Sequence, residues 1–139
     1  MLDYNHILYA TDLESSCQAT MQRVLSFARK FNAKVSLVHV VKNVSSSYGF
    51  AAVDIQVEET LVKSARERMN EFIKELDILE ENTVVVTGHV TNAIIDVSKE
   101  LCCDVIMLNG HTHNIFARMI STEDSVVNQA HCDVFVLRD

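Results

Sequence analysis

The chain has 139 residues, 48% of them apolar, and a formal charge of −7. That length suits one domain burying roughly two-thirds of its unfolded surface, and the apolar share excludes a disordered chain. The acidic balance argues against a nucleic-acid partner, which needs a basic face, and against an anionic membrane surface.

HILYA at 6–10 is a short apolar run with the bulk of a strand. Ser15 and Gln18 stand at capping-box spacing. Behind them Met21, Val24, Leu25, Ala28 and Phe31 share one helical face, and Asn32 suits a left-handed stop. KVSLVHVV at 34–41 is nearly continuous and β-branched, as a strand covered on both faces should be. KNVSSSYGFAAVD at 42–54 gathers Ser45, Ser46, Ser47 and Gly49 and reads as a loop. Leu61, Ala65, Met69, Phe72, Ile73 and Leu76 then make a helical stripe, with Arg66, Arg68, Glu71 and Lys74 expected on its solvent side.

TVVV at 83–86, closed by Gly88, is the third predicted strand. Ala93, Ile94, Val97 and Leu101 mark the next helix, and DVIML at 104–108 the fourth strand. A short helix starting near Ser121 or Thr122 carries Val126, Val127 and Ala130, and DVFVL at 133–137 is the fifth strand. Strands alternating with helices imply right-handed crossovers and a mostly parallel sheet. Ligands on such sheets bind beyond the carboxyl ends of the strands, where strand order reverses. The positions of interest are therefore Thr11 and Asp12, His39 and Val40, Thr87 to His89, and GHTHNIFARMISTEDS at 110–125.

HILYATDLE at 6–14, NAKVSLVHV at 32–40, GHVTNAIIDVSKE at 88–100, and DVIMLNGH with its continuation through DVFVL at 104–137 together resemble the universal stress proteins, and within them the UspA-like branch. The match rests on the order and spacing of all these stretches and leaves only 42–55 weakly covered. The resemblance implies an α/β, Rossmann-like fold: an open five-stranded parallel sheet in the order 3-2-1-4-5, flanked by helices on both faces, usually as a homodimer. The residues add their own argument for pairing. Val134, Phe135, Val136 and Leu137 are apolar on both faces of what should be an edge strand, and a bare edge invites a partner. The alternative is a monomer whose edge is shielded by its own termini.

ATP-binding members of the family carry a loop of Gly, two residues, Gly, nine residues, Gly, then Ser or Thr. Glycines there let backbone N–H groups approach phosphates at a helix N-terminus. Gly110 matches the first glycine, but His113 and Glu123 stand at the next two positions. With a shorter loop the last pair is Ile120 and Ser121, and a β-branched isoleucine cannot replace a glycine needed for close approach. Glu123 and Asp124 add negative charge nearby. The resemblance places Thr11, Asp12, Val40, Asn109, Gly110, Ser121 and Thr122 where relatives hold ribose, adenine and phosphates. The expectation is at most a weak polar pocket and no resident cofactor; the alternative is ATP or AMP with Mg²⁺ in a nucleotide-dependent switch or slow ATPase.

His111, His113, His131 and Cys132 could ligate zinc in principle, but their spacing matches no strong zinc pattern. His39 is expected as a satisfied interior histidine. Asp12 lacks the clustered carboxylates and the lysine that phosphate acceptance on aspartate requires. Cys102 and Cys103 are expected to end a helix facing the core, without the electropositive setting of a reactive thiol. No apolar run approaches the roughly 18 residues that span a bilayer, the N-terminus lacks signal-peptide features, and the four cysteines form no CxxC. The sequence thus predicts a single-domain, non-catalytic, cytoplasmic stress-response homodimer acting through its surfaces, with 42–55 as a candidate protein-docking loop.

Overall fold

The computed structural model describes residues 3–13, 16–42, 51–110 and 122–138; side chains at 16–17, 51–55 and 122–124 lie outside that description. Among the described residues five strands, β1 (His6–Ala10), β2 (Lys34–Lys42), β3 (Thr83–Gly88), β4 (Val105–Asn109) and β5 (Asp133–Leu137), alternate with four α-helices. These are α1 (Ser16–Phe31), α2 (Ala51–Phe72), α3 (Val90–Glu100) and α4 (Thr122–Gln129). The strands form one sheet in the order β3-β2-β1-β4-β5. Every pairing is parallel, with Ile7 beside Val35 and Val105, and Met107 beside Phe135.

The period-two alternation of the strands divides the core. Ile7, Tyr9, Leu37, Val105 and Met107 face α1 and α2, where Met21, Val24, Ala28, Met69 and Phe72 meet them. Leu8, Val38, Ile106 and Leu108 face the other way, onto Ile94 and Val97 of α3 and Val126 of α4. Central strands buried on both faces account for the unbroken apolar runs in the sequence. Each fully buried side chain in them contributes about 1.5–3 kcal/mol relative to exposure.

Helix ends follow local chemistry. Asn32 takes a left-handed φ of 54° after α1. The amide of Ala33 then reaches back to the carbonyl of Ala28 at 2.9 Å, satisfying a terminal acceptor. Arg29 and Lys30 occupy the last turn of α1, where cations oppose the negative helix end. Cys102 does after α3 what Asn32 does after α1, at φ 55°, with the Cys103 amide bonded to Ser98 at 2.9 Å.

The amino end of the sheet is pinned by polar groups. Asp104 accepts from the amides of Asn5 (2.8 Å) and His6 (3.2 Å), and the Tyr4 hydroxyl donates to Asp133 at 2.8 Å. His6 Nδ1 lies 3.0 Å from the Leu101 carbonyl, which can only accept, so that nitrogen carries the proton. Nε2 therefore accepts from the buried Ser36 hydroxyl at 2.8 Å.

Several expectations need correction. Residues 51–54, read as loop, belong to α2. Arg66 does not point to solvent: it is half-buried and donates to Thr83 Oγ1 (2.6 Å) and the Thr83 carbonyl (3.4 Å), clamping α2 to the start of β3. The predicted stripe is buried at Ala65, Met69 and Phe72, but α2 ends there, so Ile73 and half-buried Leu76 lie in the turns that follow, and Leu61 is left 40% exposed. Val127 is 51% exposed, because a two-turn helix lying on the sheet buries one position per turn and Val126 takes it. Of the paired cysteines only Cys103 faces the core; the left-handed turn swings Cys102 into solvent.

Candidate functional site

Strand order reverses between β1 and β4: from β1 the chain proceeds to β2 and β3 on one side, and β4 leads to β5 on the other. The carboxyl ends of β1 and β4 flank this reversal, with that of β2 beside them, which is where parallel sheets of this kind take ligands. Thr11, Asp12, Val40, Asn109 and Gly110 are all brought to that end of the sheet. Ser121, and with it His111, His113, Glu14 and Ile120, lies outside the described residues, and Thr122 is described only as the first residue of α4.

Thr11 is buried and engaged at every polar group. Its amide donates to the Val38 carbonyl (2.9 Å), its carbonyl accepts from His39 Nδ1 (2.8 Å), and its Oγ1 accepts from the Leu13 amide (2.9 Å). His39, expected as a satisfied interior histidine, has Nδ1 engaged in this way but is only half-buried. Leu13 is buried with a φ of 65°, a conformation that costs a residue with Cβ about 1 kcal/mol or more. Its side chain belongs to the core cluster that includes Tyr9, Met21 and Met69, and its carbonyl accepts from Arg68 of α2 at 3.4 Å. Val40 is half-buried and rests on the α3–α4 side of the sheet.

Asn109 ends β4 with its side chain turned inward toward α1. Its Oδ1 accepts from the hydroxyl of Tyr9, a residue with no exposed surface, and its Nδ2 donates to Thr20 Oγ1 at 2.9 Å. Thr20 is itself buried on the inner face of α1. Both ends of the amide thus serve an interior chain of hydrogen bonds.

Gly110 is buried, and its amide donates to the Leu137 carbonyl at 2.7 Å. A Cβ built on it would lie 2.8 Å from Val136 Cγ1 and 3.3 Å from Arg138 Cζ. The need for glycine at 110 is therefore met by close packing against β5. Arg138 is fixed from the far side by Arg23 of α1, whose Nη1 donates to the Arg138 carbonyl at 2.7 Å.

Tyr9, Leu13, Thr20 and Arg138 are site neighbours that the sequence does not single out, and Arg68, expected only on the solvent side of α2, is another. Thr20 carried a signal: a polar residue directly before Met21 and four before Val24, on the stripe that should be apolar. Arg138 carried none. Among the described residues no group of histidines, cysteines and carboxylates is arranged to hold a metal ion, and no helix is long and apolar enough to cross a membrane.

Comparison with known proteins bears on this arrangement. The model of the universal stress protein family matches residues 3–138. Universal stress protein A homolog 2 of Coxiella burnetii is 31% identical over 143 residues, covering 99% of this chain and 97% of that protein. The solved structure of the universal stress protein UspA from Lactobacillus plantarum superposes with a TM-score of 0.75 at 26% identity, covering 99% of this chain and all of the other. A universal stress protein solved in complex with cAMP shares the fold, with a TM-score of 0.64 at 16% identity and coverage of 99% and 98%. With the predicted strand order realised in full and relatives matching from end to end, the chain belongs to the universal stress protein family and is UspA-like within it.

Proposed function

We propose that the chain acts as a non-catalytic stress-response protein of UspA type, in the cytoplasm, as a homodimer paired through β5, with at most weak affinity for nucleotides. The observation that carries the reading is the use made of the two residues ending β4. The Asn109 amide is committed to Tyr9 and Thr20, and the bare face of Gly110 is filled by Val136 and Arg138. Neither supplies the open main-chain cradle that a triphosphate needs. His113 and Ile120, where the family's phosphate loop carries glycines, point the same way in sequence. The Ser36 hydroxyl, which donates to His6 Nε2, is 2% exposed and lies toward the amino end of the sheet, away from the carboxyl ends where Asn109 and Gly110 stand.

A second reading is favoured by the fold relative solved with cAMP: an atypical nucleotide pocket, formed at the same reversal of strand order, that switches the protein's surface. The two are separated by native mass spectrometry of the purified protein followed by calorimetry with Mg·ATP, AMP and cAMP. Co-purified nucleotide near one per chain, or a dissociation constant well below millimolar, would overturn the first reading. The paired change His113→Gly and Ile120→Gly adds a sharper arm. A measurable gain in ATP affinity would identify side-chain crowding as the obstacle; no gain would assign it to the charge of Glu123 and Asp124 or to loop length.

A further inference from the structure

Three cysteines meet at the amino end of the sheet, opposite the candidate site. Cys102 and Cys103 form the turn from α3 into β4, and Cys132 immediately precedes β5. β4 and β5 run parallel, with Val105 beside Asp133. One step back along that register Asp104 stands beside Cys132, and Cys103 is the diagonal neighbour of Cys132. Strands about 4.8 Å apart, rising about 3.3 Å per residue, place such a pair about 6 Å apart between Cα atoms, inside the roughly 4.4–6.8 Å that a disulfide spans. The backbone is held at this point: the Asp104 amide donates to the His6 carbonyl at 3.0 Å, and the Cys103 amide to the Ser98 carbonyl at 2.9 Å.

Both side chains lie on the same side of the sheet. Cys103, 5% exposed, belongs to the cluster under α3 and α4, and half-buried Cys132 packs against that cluster. Cys102, turned to solvent, is a further residue away along the chain and outside the cluster. Burial first, and then nearby Cys132 ahead of Asp104 and Cys102, pushes the Cys103 thiol up to about 12 against the pull of Lys34. The Cys132 thiol is also raised, by burial first and then by Asp133 and Asp104. This setting disfavours thiolates and makes both sulfurs slow nucleophiles. It imposes no such penalty on a disulfide, which carries no charge. Stabilised thiolates make a disulfide easy to reduce; here the thiolates are destabilised, so the bond once formed resists reduction.

We propose that Cys103 and Cys132 are a thiol pair that hydrogen peroxide converts to a disulfide within the folded chain, fastening the α3–β4 turn to the α4–β5 turn. Cys132 reacts first, because Cys103 is covered. Its thiolate attacks one peroxide oxygen: an S–O bond forms, the O–O bond breaks, and the departing hydroxide takes up a proton as water. The Cys103 sulfur then attacks the Cys132 sulfur. The S–S bond forms, the S–O bond breaks, and the second hydroxide leaves with the Cys103 proton as water. The two sulfurs together give up two electrons, and the peroxide accepts both. The ring of chain so closed contains Asn109, Gly110 and the start of α4, so oxidation at one end of the sheet restrains the residues that end β4 at the other.

The test treats the folded protein with hydrogen peroxide, caps the remaining thiols with N-ethylmaleimide, and reads unreduced peptides by fragment mass spectrometry. The expected product is a Cys103–Cys132 link within one chain, undone by dithiothreitol. Cys102→Ser should keep the link, whereas Cys103→Ala and Cys132→Ala should each abolish it. Because Cys132 is only half-buried, its variant keeps the test decisive if Cys103→Ala fails to fold. The oxidised Cys102→Ser protein should also unfold at higher urea than its reduced form, since the bond restrains the unfolded chain; Cys132→Ala should show no such rise. Four outcomes would overturn the proposal: a link from Cys132 to any other cysteine, links between chains only, Cys103 and Cys132 left as free thiols while Cys102 is oxidised, or a link that forms only in urea.

Discussion

The Tyr9 hydroxyl and the Asn109 side chain are bonded to each other inside the protein, at the very point where strand order reverses. A residue that the family resemblance places toward a ligand is thereby part of the scaffold. Asn109→Ala would leave the Tyr9 hydroxyl and the Thr20 hydroxyl without this partner in a buried setting. The expected cost is about 1–3 kcal/mol in unfolding free energy, read from urea titrations. Tyr9→Phe in the same background should recover part of it, because the buried donor is then gone. Strict additivity of the two changes would show that the bond carries no coupling.

Gly110→Ala tests the packing role of the glycine. A methyl group there meets Val136 Cγ1 at 2.8 Å, and a β-branched neighbour held in a strand has little room to turn away. Destabilisation of about 1–3 kcal/mol is expected, typical of overpacking. Adding Val136→Ala should relieve most of the clash, although it removes buried methyls of its own. A Gly110→Ala protein as stable as the original would show that β5 yields easily.

The His6 ring makes stability depend on pH. Burial is the main force holding it below its ordinary value of 6.5; the Leu101 carbonyl opposes this, Lys34 adds to the depression, and Asp104 opposes it. The folded state thus binds fewer protons than the unfolded state between the lowered value and 6.5. The resulting stabilisation is fully present above pH 6.5 and is lost as pH falls through that window. Urea midpoints measured between about pH 5 and 7 should drop more steeply for the unaltered protein than for His6→Gln. Parallel profiles would remove His6 from the explanation.

The neighbouring cysteines should differ in reactivity. Burial, reinforced by Cys132 and the carboxylate of Asp104, pushes the Cys103 thiol up to about 12, whereas Cys102 is exposed. Pulse alkylation of the native protein at mildly alkaline pH, read by fragment mass spectrometry, should label Cys102 well before Cys103. Equal labelling would mean that the turn after α3 opens readily.

The strands were legible because their apolar runs are short, β-branched and bounded by turn residues: HILYA is β1 from its first residue to its last, and DVFVL is β5. Asn32 announced the end of α1 for the same local reason that it ends it. The start of α2 was hidden because a loop-like run of serines and a glycine shades into Ala51 and Ala52 with no capping residue between them. Arg66 was misread because helical periodicity assigns a face and not a partner; the Thr83 hydroxyl that draws it inward lies 17 residues away. At the site, the spacing located Asn109 and Gly110 correctly at the end of β4. Which way the amide points, and what fills the space above the glycine, depend on Thr20, Val136 and Arg138. These residues are distant in sequence, and their approach is set by packing alone.

Leu13 stands in a left-handed conformation usually left to glycine, and its aliphatic chain is buried in the core cluster that also holds Tyr9, Met21 and Met69. Interior packing energy thereby offsets a strained backbone just beyond the carboxyl end of β1. A cavity opened in that cluster, by truncating Met21 or Met69 for instance, would slacken the turn after β1 from within, so the posture of Thr11 and Asp12 is tied to residues that no visiting molecule could touch.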